Sequence, residues 1–439
     1  MKIEISDNKK WQHSLTIKMM LLAILGLFLL VPLELIKSII RERQTNSENI
    51  KKEIAVQWAG QQTISGPVLN IPLNIYPAKK DAEPYKSVYH LMPETLVIKG
   101  DVNTEKRHRS IYQAVVFTSD VKLSGEFIIR DINIGEKSEI LWNEAYYTLG
   151  ISDNRGLKGA VTLKTDSSSV DAIPGLKDSE LFSSGITFPA KVSEQSMRIQ
   201  YSLDLKLSGS ESLSFTPMGK TTNVSLRSPW DAPGFMGSFL PAERTINKSG
   251  FDAKWLVTNL NRNFPQSWTG NTFKPMNDSF GVNFILQVDH YQKSLRSAKY
   301  GILFIALTFL ALIFAEITTG ENIHVFHYLQ LALALILFFS LLNALSEQVG
   351  FNIAYLISAA STIILITSFL RAILPEKRPV MLISALLVFL YVFIFILLTL
   401  NDYAYLAGNI GLFILLAITM KFSMKLNLYN KEPSGDRVD

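Results

Sequence analysis

Six long apolar runs, one near the N-terminus and five crowded toward the C-terminus, constrain this chain more than any other feature. A hydrocarbon core of ~30 Å needs about 20 apolar residues in a helix, and each run is close to that length. The runs do not alternate polar and apolar residues as barrel strands would. The sequence therefore predicts six transmembrane helices, at about 17–40, 298–318, 324–345, 350–371, 379–400 and 403–421.

Lysines and arginines beside the runs predict which side of the membrane each end faces. They cluster before the first run, between the fourth and fifth, and after the sixth: Lys9, Lys10, Lys18, Arg371, Lys377, Arg378, Lys421 and Lys425. The connections 346–350 and 401–402 contain none. Although Lys37 and its basic neighbours weaken the signal of the first run, the pattern places the tails 1–16 and 422–439 in the cytoplasm.

The polar segment 41–297 is then predicted to be a periplasmic domain held by the membrane at both ends. The alternative is a signal peptide in place of the first helix, but no A-x-A-like site follows that run and the run exceeds a typical h-region. We therefore expect an uncleaved anchor. Since the 439 residues include no cysteine, the domain contains no disulfide or cysteine-ligated metal and depends on its core for stability.

Within this segment the dominant hydrophobic period is two, which is typical of strands with one buried face. Residues 197–207 alternate most clearly, and Gly209-Ser210 then predicts a hairpin or meander into 213–215 and 224–226. Further strands are expected at 68–75, 113–123, 125–129, 157–164 and 280–288. A weak helical period occurs at 47–60 and 253–263, and the Ser-rich stretch 167–184 is interpreted as a surface loop. The predicted fold class is an α+β membrane protein with six transmembrane helices and a β-rich domain inserted between the first two.

The usual catalytic motifs are missing from the sequence. Residues 218–221 read Met-Gly-Lys-Thr, but the first glycine of a P-loop would fall at Ser214, so we expect a turn there. No G-x-S-x-G elbow or H-E-x-x-H motif occurs. His90, His108 and His290 are scattered and are interpreted as surface or satisfied core histidines. We therefore predict no enzyme activity, no metal site and no cofactor.

The formal net charge of +5 is modest, and its basic residues lie mostly beside the apolar runs. That placement is typical of membrane topology and of contact with anionic lipid. No basic helix or nucleic-acid motif is present. The predicted partners are the lipid bilayer and other envelope proteins, and no nucleic acid.

Ionisable residues inside or at the ends of the helices are candidate functional residues, because a charge deep in lipid costs about 2.5–3.5 kcal/mol and normally has a partner. Glu316 ends the second helix, and His324 and His327 begin the third, so we expect the three to gather at the cytoplasmic face. They form either a proton, ion or metal site or a solvated helix end. At the other end of the third helix, Asn343, Ser346 and Glu347 would lie beneath the exported domain.

We interpret Asn343, Ser346 and Glu347, together with Glu34 of the first helix, as contacts between the helix bundle and the exported domain. For Glu34 the alternative is simple anchoring at the interface. The short connection after the last strand also predicts a domain seated on the bundle.

A second candidate is the segment 228–241, called here the aromatic loop, with Arg244 just after it. It places Trp230, Phe235 and Phe239 among turn-forming residues and is not expected to form a regular strand. It is either a rigid loop filled by its own aromatic rings or an exposed recognition surface for a partner.

The order of several motifs resembles the CreD family of inner membrane proteins of Gram-negative bacteria. The motifs cover about three quarters of the chain: Gly66-Pro67, Ile71-Pro72, Leu91-Met92-Pro93-Glu94, the aromatic loop with Arg244, Ser249-Gly250-Phe251, Trp255, Lys299-Tyr300, Ala344-Leu345-Ser346-Glu347 and Gly350-Phe351. The resemblance implies a multi-pass inner membrane protein tied to envelope integrity, envelope stress and colicin tolerance. It supplies no catalytic residues.

Three functions therefore compete. The first is a non-enzymatic inner membrane protein that supports the cell envelope. The second is a transporter or lipid-handling protein that uses Glu316, His324, His327, Asn343 and Glu347, although six unbroken spans in a one-plus-five order are unlike the repeats of secondary transporters. The third is a membrane-anchored periplasmic hydrolase, which would need a cleft with paired carboxylates or a Ser/His pair.

Overall fold

The computed structural model describes residues 15–76, 83–109, 112–130, 132, 138–284, 290–319, 322–400 and 404–424. Two compact units divide the chain: a helical unit, residues 1–45 and 289–439, and a β domain, residues 46–288. The β domain is thus inserted between the N-terminal helical segment and the remaining helices. The tails predicted at 1–16 and 422–439 lie almost entirely outside the described residues.

Eight α-helices occur in the described residues. They are α1 Leu15–Phe28, α2 Leu30–Trp58, α3 His290–Lys299, α4 Gly301–Thr319, α5 Val325–Val349, α6 Phe351–Ile373, α7 Lys377–Thr399 and α8 Ala404–Met424. Five continuous helical segments are long and apolar enough to cross a membrane: Ile17–Trp58, His290–Thr319, Val325–Val349, Phe351–Ile373 and Lys377–Thr399. The predicted sixth span coincides with α8. The predicted second span starts later than its helical segment, because the polar helix α3 precedes it.

A chain of aromatic rings joins the helices of the helical unit. Tyr391 of α7 lies 4.6 Å from Phe304 of α4 and 4.7 Å from Phe338 of α5, measured between ring centroids. The hydroxyl of Tyr355 in α6 donates to the Tyr391 carbonyl at 2.8 Å. Gly350, with φ of +81°, is the single residue between α5 and α6, where a side chain would be strained. Packing through large rings and a tight turn therefore fixes four of the helices against one another.

The described strands are β1 Gln62–Ile75, β2 Tyr85–Leu91, β3 Thr95–Arg109, β4 Tyr112–Ile128, β5 Ser138–Ile140, β6 Tyr146–Ile151, β7 Thr162–Thr165, β8 Ser169–Asp171, β9 Ile173–Pro174, β10 Gly185–Pro189, β11 Arg198–Ser210, β12 Ser212–Thr216, β13 Thr221–Ser228, β14 Pro233–Gly237, β15 Glu243–Asn247, β16 Gly250–Thr258, β17 Ser267–Thr269 and β18 Phe280–Phe284. One sheet has the order β15-β16-β13-β3-β4-β11-β7-β8. The other has the order β14-β18-β12-β1-β6-β10-β9, with β2, β5 and β17 branching from it through β1 and β2.

Both sheets contribute to one hydrophobic core, which explains their sequence patterns. Strand β11 alternates buried and exposed residues, as its period of two predicts. Strand β1 is buried over almost its whole length, because β12, β2 and β6 pair with it inside its sheet. The buried side chains of the two sheets, among them Ile64, Leu123 and Phe215, belong to a single cluster.

Three local predictions are wrong. Strands β11 and β12 form no hairpin, because Glu211, with φ of +63°, lies between them where the chain passes from one sheet to the other. The stretch 253–263 is strand β16 followed by a 3₁₀ turn. Within the aromatic loop, Pro233–Gly237 is a regular strand that pairs with β18. In each case the partner strand lies elsewhere in the chain, and local pattern could not reveal it.

Candidate functional site

A partly buried ion pair joins the start of α1 to the end of α4 in the helical unit. The Lys18 ammonium donates to Glu316 Oε1, and the two side chains are 11% and 14% exposed. Lys18 Nζ also donates to Asn322 Oδ1 at 3.1 Å and to the Ile323 carbonyl at 2.6 Å. The hydroxyl of Tyr328 donates to Glu316 Oε2 at 3.1 Å. Every charged atom in this group, called here the lysine–glutamate cluster, faces a partner of the complementary kind.

The two histidines predicted to join Glu316 have other partners. His324 precedes α5 as its N-cap, with Nδ1 accepting from the Phe326 amide at 3.2 Å. His327 Nδ1 lies 3.3 Å from Gln330 Oε1, and the His327 ring packs edge to face with the ring of Phe369. The ionisable partner of Glu316 is instead Lys18, which the sequence suggested only as a topology signal.

The residues predicted to contact the β domain lie at separate places in the helical unit. Glu34 accepts from Lys37 of its own helix at 2.7 Å. Glu347 accepts from the Tyr291 hydroxyl at 3.2 Å, so α5 is joined to α3 there. The Ser346 hydroxyl donates to the Asn343 carbonyl, and Asn343 Oδ1 is buried with no hydrogen-bond partner in the described residues. A contact of these four residues with the β domain stays a prediction.

In the aromatic loop, the rings pack within the β domain. Phe235 of β14 lies edge to face with Trp255 at 5.8 Å, and Phe239 does so with Phe280 at 5.7 Å. Trp230 is 8% exposed, and its indole nitrogen donates to the Ala232 carbonyl at 3.0 Å. Two of the three rings thus pack against Trp255 and Phe280, which lie outside the loop. A loop filled by its own aromatic rings stays a prediction.

The outer side of the same loop carries the groups that a partner could reach. The Arg244 guanidinium lies 5.7 Å from the centre of the Phe235 ring and covers it. The exposed apolar side chains are Met236 and Leu240, at 37% and 68% exposure. Recognition of a partner by this loop stays a prediction.

A further cluster in the β domain joins residues that the sequence did not connect. His90 lies on β2, whereas Asp178 and Glu180 follow β9 in the stretch interpreted as a surface loop. One ligand atom from each lies within 4.8 Å of the other two. His90 is 1% exposed, and its Nε2 lies 3.3 Å from Glu180 Oε2. The surface-loop prediction for this stretch is wrong in part, because it contains β8 and β9 and because Leu181 and Phe182 belong to the core.

The amide of Asn70 fixes the tautomer of His90. Asn70 and His90 are directly paired on β1 and β2, and Asn70 Oδ1 lies 2.7 Å from His90 Nδ1. Asn70 Nδ2 donates to the Thr148 hydroxyl at 2.8 Å and to the Val68 carbonyl at 3.3 Å. Because a carbonyl only accepts, the amide nitrogen must face Val68 and the amide oxygen must face His90. Nδ1 therefore carries the proton, and Nε2 of the neutral ring presents a lone pair.

The protonation equilibria of this cluster follow from burial and from like charge. Burial lowers the pKa of the His90 imidazole to about 4, against a smaller opposite effect of the Gly270 backbone. Burial also raises the pKa of the Glu180 carboxyl, and the charge of Asp178 adds to that shift. Asp178 Oδ1 accepts from the Glu180 amide at 2.9 Å, while its Oδ2 is buried with no hydrogen-bond partner in the described residues. Glu180 Oε2 and a carboxylate oxygen of Asp178 thus lie close to the Nε2 lone pair of His90, and the described residues supply no hydrogen-bond donor to Asp178 Oδ2.

Little in the sequence could have found this site. Asp178-Ser179-Glu180 places two carboxylates two residues apart, but such spacing is common on surfaces. In the chain, strands β3 to β9 separate His90 from Asp178 and Glu180. Only the pairing of β2 with β1 and the path of the chain after β9 bring the three together.

Comparison with known proteins agrees with the sequence motifs. The family model described as "Inner membrane protein CreD" matches residues 14–429. The inner membrane protein CreD of Escherichia coli (strain K12) is 30% identical over 414 residues, which cover 92% of this chain and 91% of that protein.

Solved structures give much weaker similarity. A mutant M1 zinc metallopeptidase from Deinococcus radiodurans, bound to a Tyr-ser-ala substrate, aligns with a TM-score of 0.18 at 11% identity, over 38% of this chain and 39% of that one. Another structure of an M1 zinc metallopeptidase from the same organism aligns with a TM-score of 0.17 at 8% identity, over 38% of each chain. Scores this low do not indicate a common fold.

Proposed function

This chain belongs to the CreD family of multi-pass inner membrane proteins, and from that premise we propose that it supports cell-envelope integrity without catalysing a reaction. The observation that carries the proposal is the β domain of residues 46–288, inserted between helices of membrane-spanning length. Its two sheets share one core, which suits a body that presents loops to partners. The non-enzymatic part of the proposal rests on the missing catalytic motifs of the sequence.

The proposed topology has six spans, both termini in the cytoplasm and the β domain in the periplasm. The lysine–glutamate cluster supports it, because α1 begins and α4 ends at the same side of the helical unit. That is expected if α1 leads the chain out of the cytoplasm and α4 returns it. Arg371 at the end of α6, with Lys377 and Arg378 at the start of α7, favours the same side for that connection.

Reporter fusions test this topology. A reporter active only in the periplasm should be inactive when fused at Glu376, between α6 and α7, and active when fused at Ser249, in the β domain. A cytoplasmic reporter at the same two positions should give the opposite pattern. Periplasmic activity at Glu376 would overturn the orientation.

Deleting the gene tests the proposed role in the envelope. We expect higher sensitivity to detergents, to envelope-targeting antibiotics and to colicin challenge in the deletion strain, or at least a changed response to one of them. A plasmid copy of the wild-type gene should restore the parental response. An unchanged response to all three challenges would contradict the proposal.

A second candidate function, lipid handling or transport, is favoured by a lateral groove between α4 and α7. The groove has a volume of about 560 Å³, and apolar side chains such as Leu307, Phe314 and Leu382 line it. Arg378 and Thr318 lie among its lining residues. Glu376 also lines the groove, so its apolar walls carry one cationic and one anionic group, a combination that fits a lipid chain with a zwitterionic headgroup.

Filling the groove distinguishes the two functions. Leu382 is 65% exposed on α7 and lines the groove, whereas Leu356 is 65% exposed on α6 and does not. If lipid binding is the function, Leu382→Trp should remove a co-purifying lipid and impair complementation of the deletion strain, and Leu356→Trp should do neither. A relay through polar side chains should also fail in Glu316→Gln and Glu347→Gln, whereas a docking contact should tolerate them.

A further inference from the structure

We propose that His90, Asp178 and Glu180 bind a divalent transition-metal ion in the β domain, through one imidazole nitrogen and two carboxylates. This proposal is independent of the envelope role proposed above. It concerns a ligand site that the sequence gave no reason to expect.

The first step of the argument is the direction of the lone pairs. The Asn70 amide places the proton of His90 on Nδ1, so Nε2 points an unshared pair toward Glu180 Oε2 at 3.3 Å. Two acceptors at this distance repel each other unless a proton or a cation lies between them. The buried Oδ2 of Asp178 adds another acceptor that has no donor in the described residues.

The second step is geometric. In a tetrahedral zinc site, two ligand atoms that each lie about 2.0–2.1 Å from the ion are about 3.3 Å from each other. His90 Nε2 and Glu180 Oε2 have this separation. The three ligand atoms lie within 4.8 Å of one another, which brings one nitrogen and two carboxylate oxygens to a single place in the domain. A mixed set of one nitrogen and two oxygens suits Zn²⁺ or Mn²⁺.

The third step is the support around the ligands. Metal-bound histidines usually donate their other N–H to an oxygen acceptor, and Asn70 Oδ1 is such an acceptor. The nearby Lys177 does not neutralise the carboxylates, because its ammonium donates to the Glu144 carbonyl at 3.1 Å and lies over the Tyr146 ring. Asp178 and Glu180 would be held to β1 and β2 by the metal, which would fasten this stretch to the sheet.

The rival explanation is a proton on Glu180 that is donated to His90 Nε2. This explanation predicts no metal binding. It also predicts that the hydrogen bond between Glu180 and His90 remains after the protein is treated with a chelator.

Metal titration of the purified full-length protein tests the proposal. The tag-free protein in detergent is stripped with a chelator, and Zn²⁺ and Mn²⁺ are then titrated separately in competition with a chromogenic chelator. We expect one ion per chain. Asp178→Asn, Glu180→Gln and His90→Gln should each weaken binding by more than about 100-fold, beyond the usual loss when only an outer hydrogen-bond partner is removed. Control variants are Glu194→Gln and His108→Gln, which remove an exposed carboxylate and an exposed histidine of the same domain.

A stability measurement keeps the test valid if one variant folds poorly. In metal-free protein, Asp178→Asn removes the like charge beside Glu180 and keeps the acceptor for the Glu180 amide, so it should raise the melting temperature. The same variant should lose the rise in melting temperature that zinc gives the wild type. The proposal is overturned if neither metal binds with one-to-one stoichiometry, or if the three ligand variants bind as the controls do.

Discussion

The two units of this protein bury carboxylates in opposite ways. In the helical unit, Glu316 accepts from Lys18, from the Tyr328 hydroxyl and from the Ile323 amide. In the β domain, Glu180 faces the lone pair of His90 Nε2 and the charge of Asp178. One carboxylate is surrounded by donors and the other by acceptors.

This difference separates structural polar groups from ligand sites better than burial does. A buried charge with a full set of donors is stabilised within the fold and needs nothing further. A buried group of acceptors has no such donors within the fold, and a bound metal ion would supply the missing positive charge. Removing one member of the lysine–glutamate cluster is therefore expected to be costly, and the His90 cluster is expected to respond to pH and to metal.

The largest effect should come from removing one member of the lysine–glutamate cluster. Lys18→Met leaves Glu316 in its largely buried position, where Tyr328 is then its only side-chain donor among the residues that the structure describes. Breaking a buried ion pair from one side typically costs about 3 kcal/mol. We expect a loss of this order in unfolding experiments in mixed micelles, followed by far-ultraviolet circular dichroism.

The double variant Lys18→Met/Glu316→Gln checks that the loss comes from the pair. Because no buried charge is left without a partner, it should be closer to the wild type than Lys18→Met is. Equal losses in the single and double variants would show that Glu316 does not depend on Lys18.

The next effect is a pH dependence of the stability of the β domain in metal-free protein. Burial holds the pKa of folded His90 at about 4, below its unfolded value of 6.5, so the unfolded state binds the proton more readily. Stability is full above pH 6.5 and falls as the pH decreases toward 4, by up to about 3 kcal/mol. The raised pKa of Glu180 acts in the opposite direction, since its protonation favours the folded state.

Unfolding followed by tryptophan fluorescence suits this test, because all the tryptophans except Trp11 belong to the β domain. In His90→Gln the free energy of unfolding should change little between pH 7 and 4.5. In His108→Gln it should change with pH as it does in the wild type. Parallel curves for wild type and His90→Gln would show that His90 is not the group responsible.

A smaller effect is expected for Asn70, the residue that orients His90. Asn70→Ala leaves the Nδ1 proton of His90 and the Thr148 hydroxyl without their partner in a buried position, at a cost of about 1–3 kcal/mol. It should also weaken zinc binding by about 10–100-fold, because the imidazole can then change tautomer. Chemical unfolding and metal titration measure the two effects.

Asn74 is a matched control on the same strand. Its amide donates to Glu139 at 3.1 Å in an exposed position. Asn74→Ala should change stability by no more than about 0.5 kcal/mol and leave metal affinity unchanged. An effect of Asn74→Ala as large as that of Asn70→Ala would contradict the role given to Asn70.

Much of the fold could be predicted from the sequence because its elements carry local periods. Helices α4 to α7 follow from apolar runs, and β11 follows from the alternation in 197–207. Pairing could not be predicted in the same way. The turn at Gly209-Ser210 suggests a hairpin, yet β11 pairs with β4 and β7, and β12 pairs with β1 and β18. A period of two identifies a strand without identifying its neighbour.

The sites show the same limit more strongly. Glu316 was found because a carboxylate at the end of an apolar helix is unusual, but its partner Lys18 is 298 residues away in the chain. The His90 cluster joins a strand to a distant irregular stretch, and no local spacing records that meeting. Sequence therefore indicated where a costly group lies, and only the fold showed what stabilises it.

The smallest effect is expected for Glu34, which also forms an ion pair in the helical unit. Its partner Lys37 is three residues away on the same helix, and the Glu34 side chain is 59% exposed. Such a local pair persists wherever the helix persists, including the detergent-unfolded state, so it does not change the free energy between the two states. The Lys18–Glu316 pair exists only when α1 and α4 are packed. Glu34→Gln, which keeps an acceptor for any docking contact, should therefore unfold in mixed micelles as the wild type does. If Glu34→Gln unfolds as readily as Lys18→Met, then the donors around a carboxylate do not decide how much that carboxylate contributes to stability. Glu34 must then have a partner beyond its own helix.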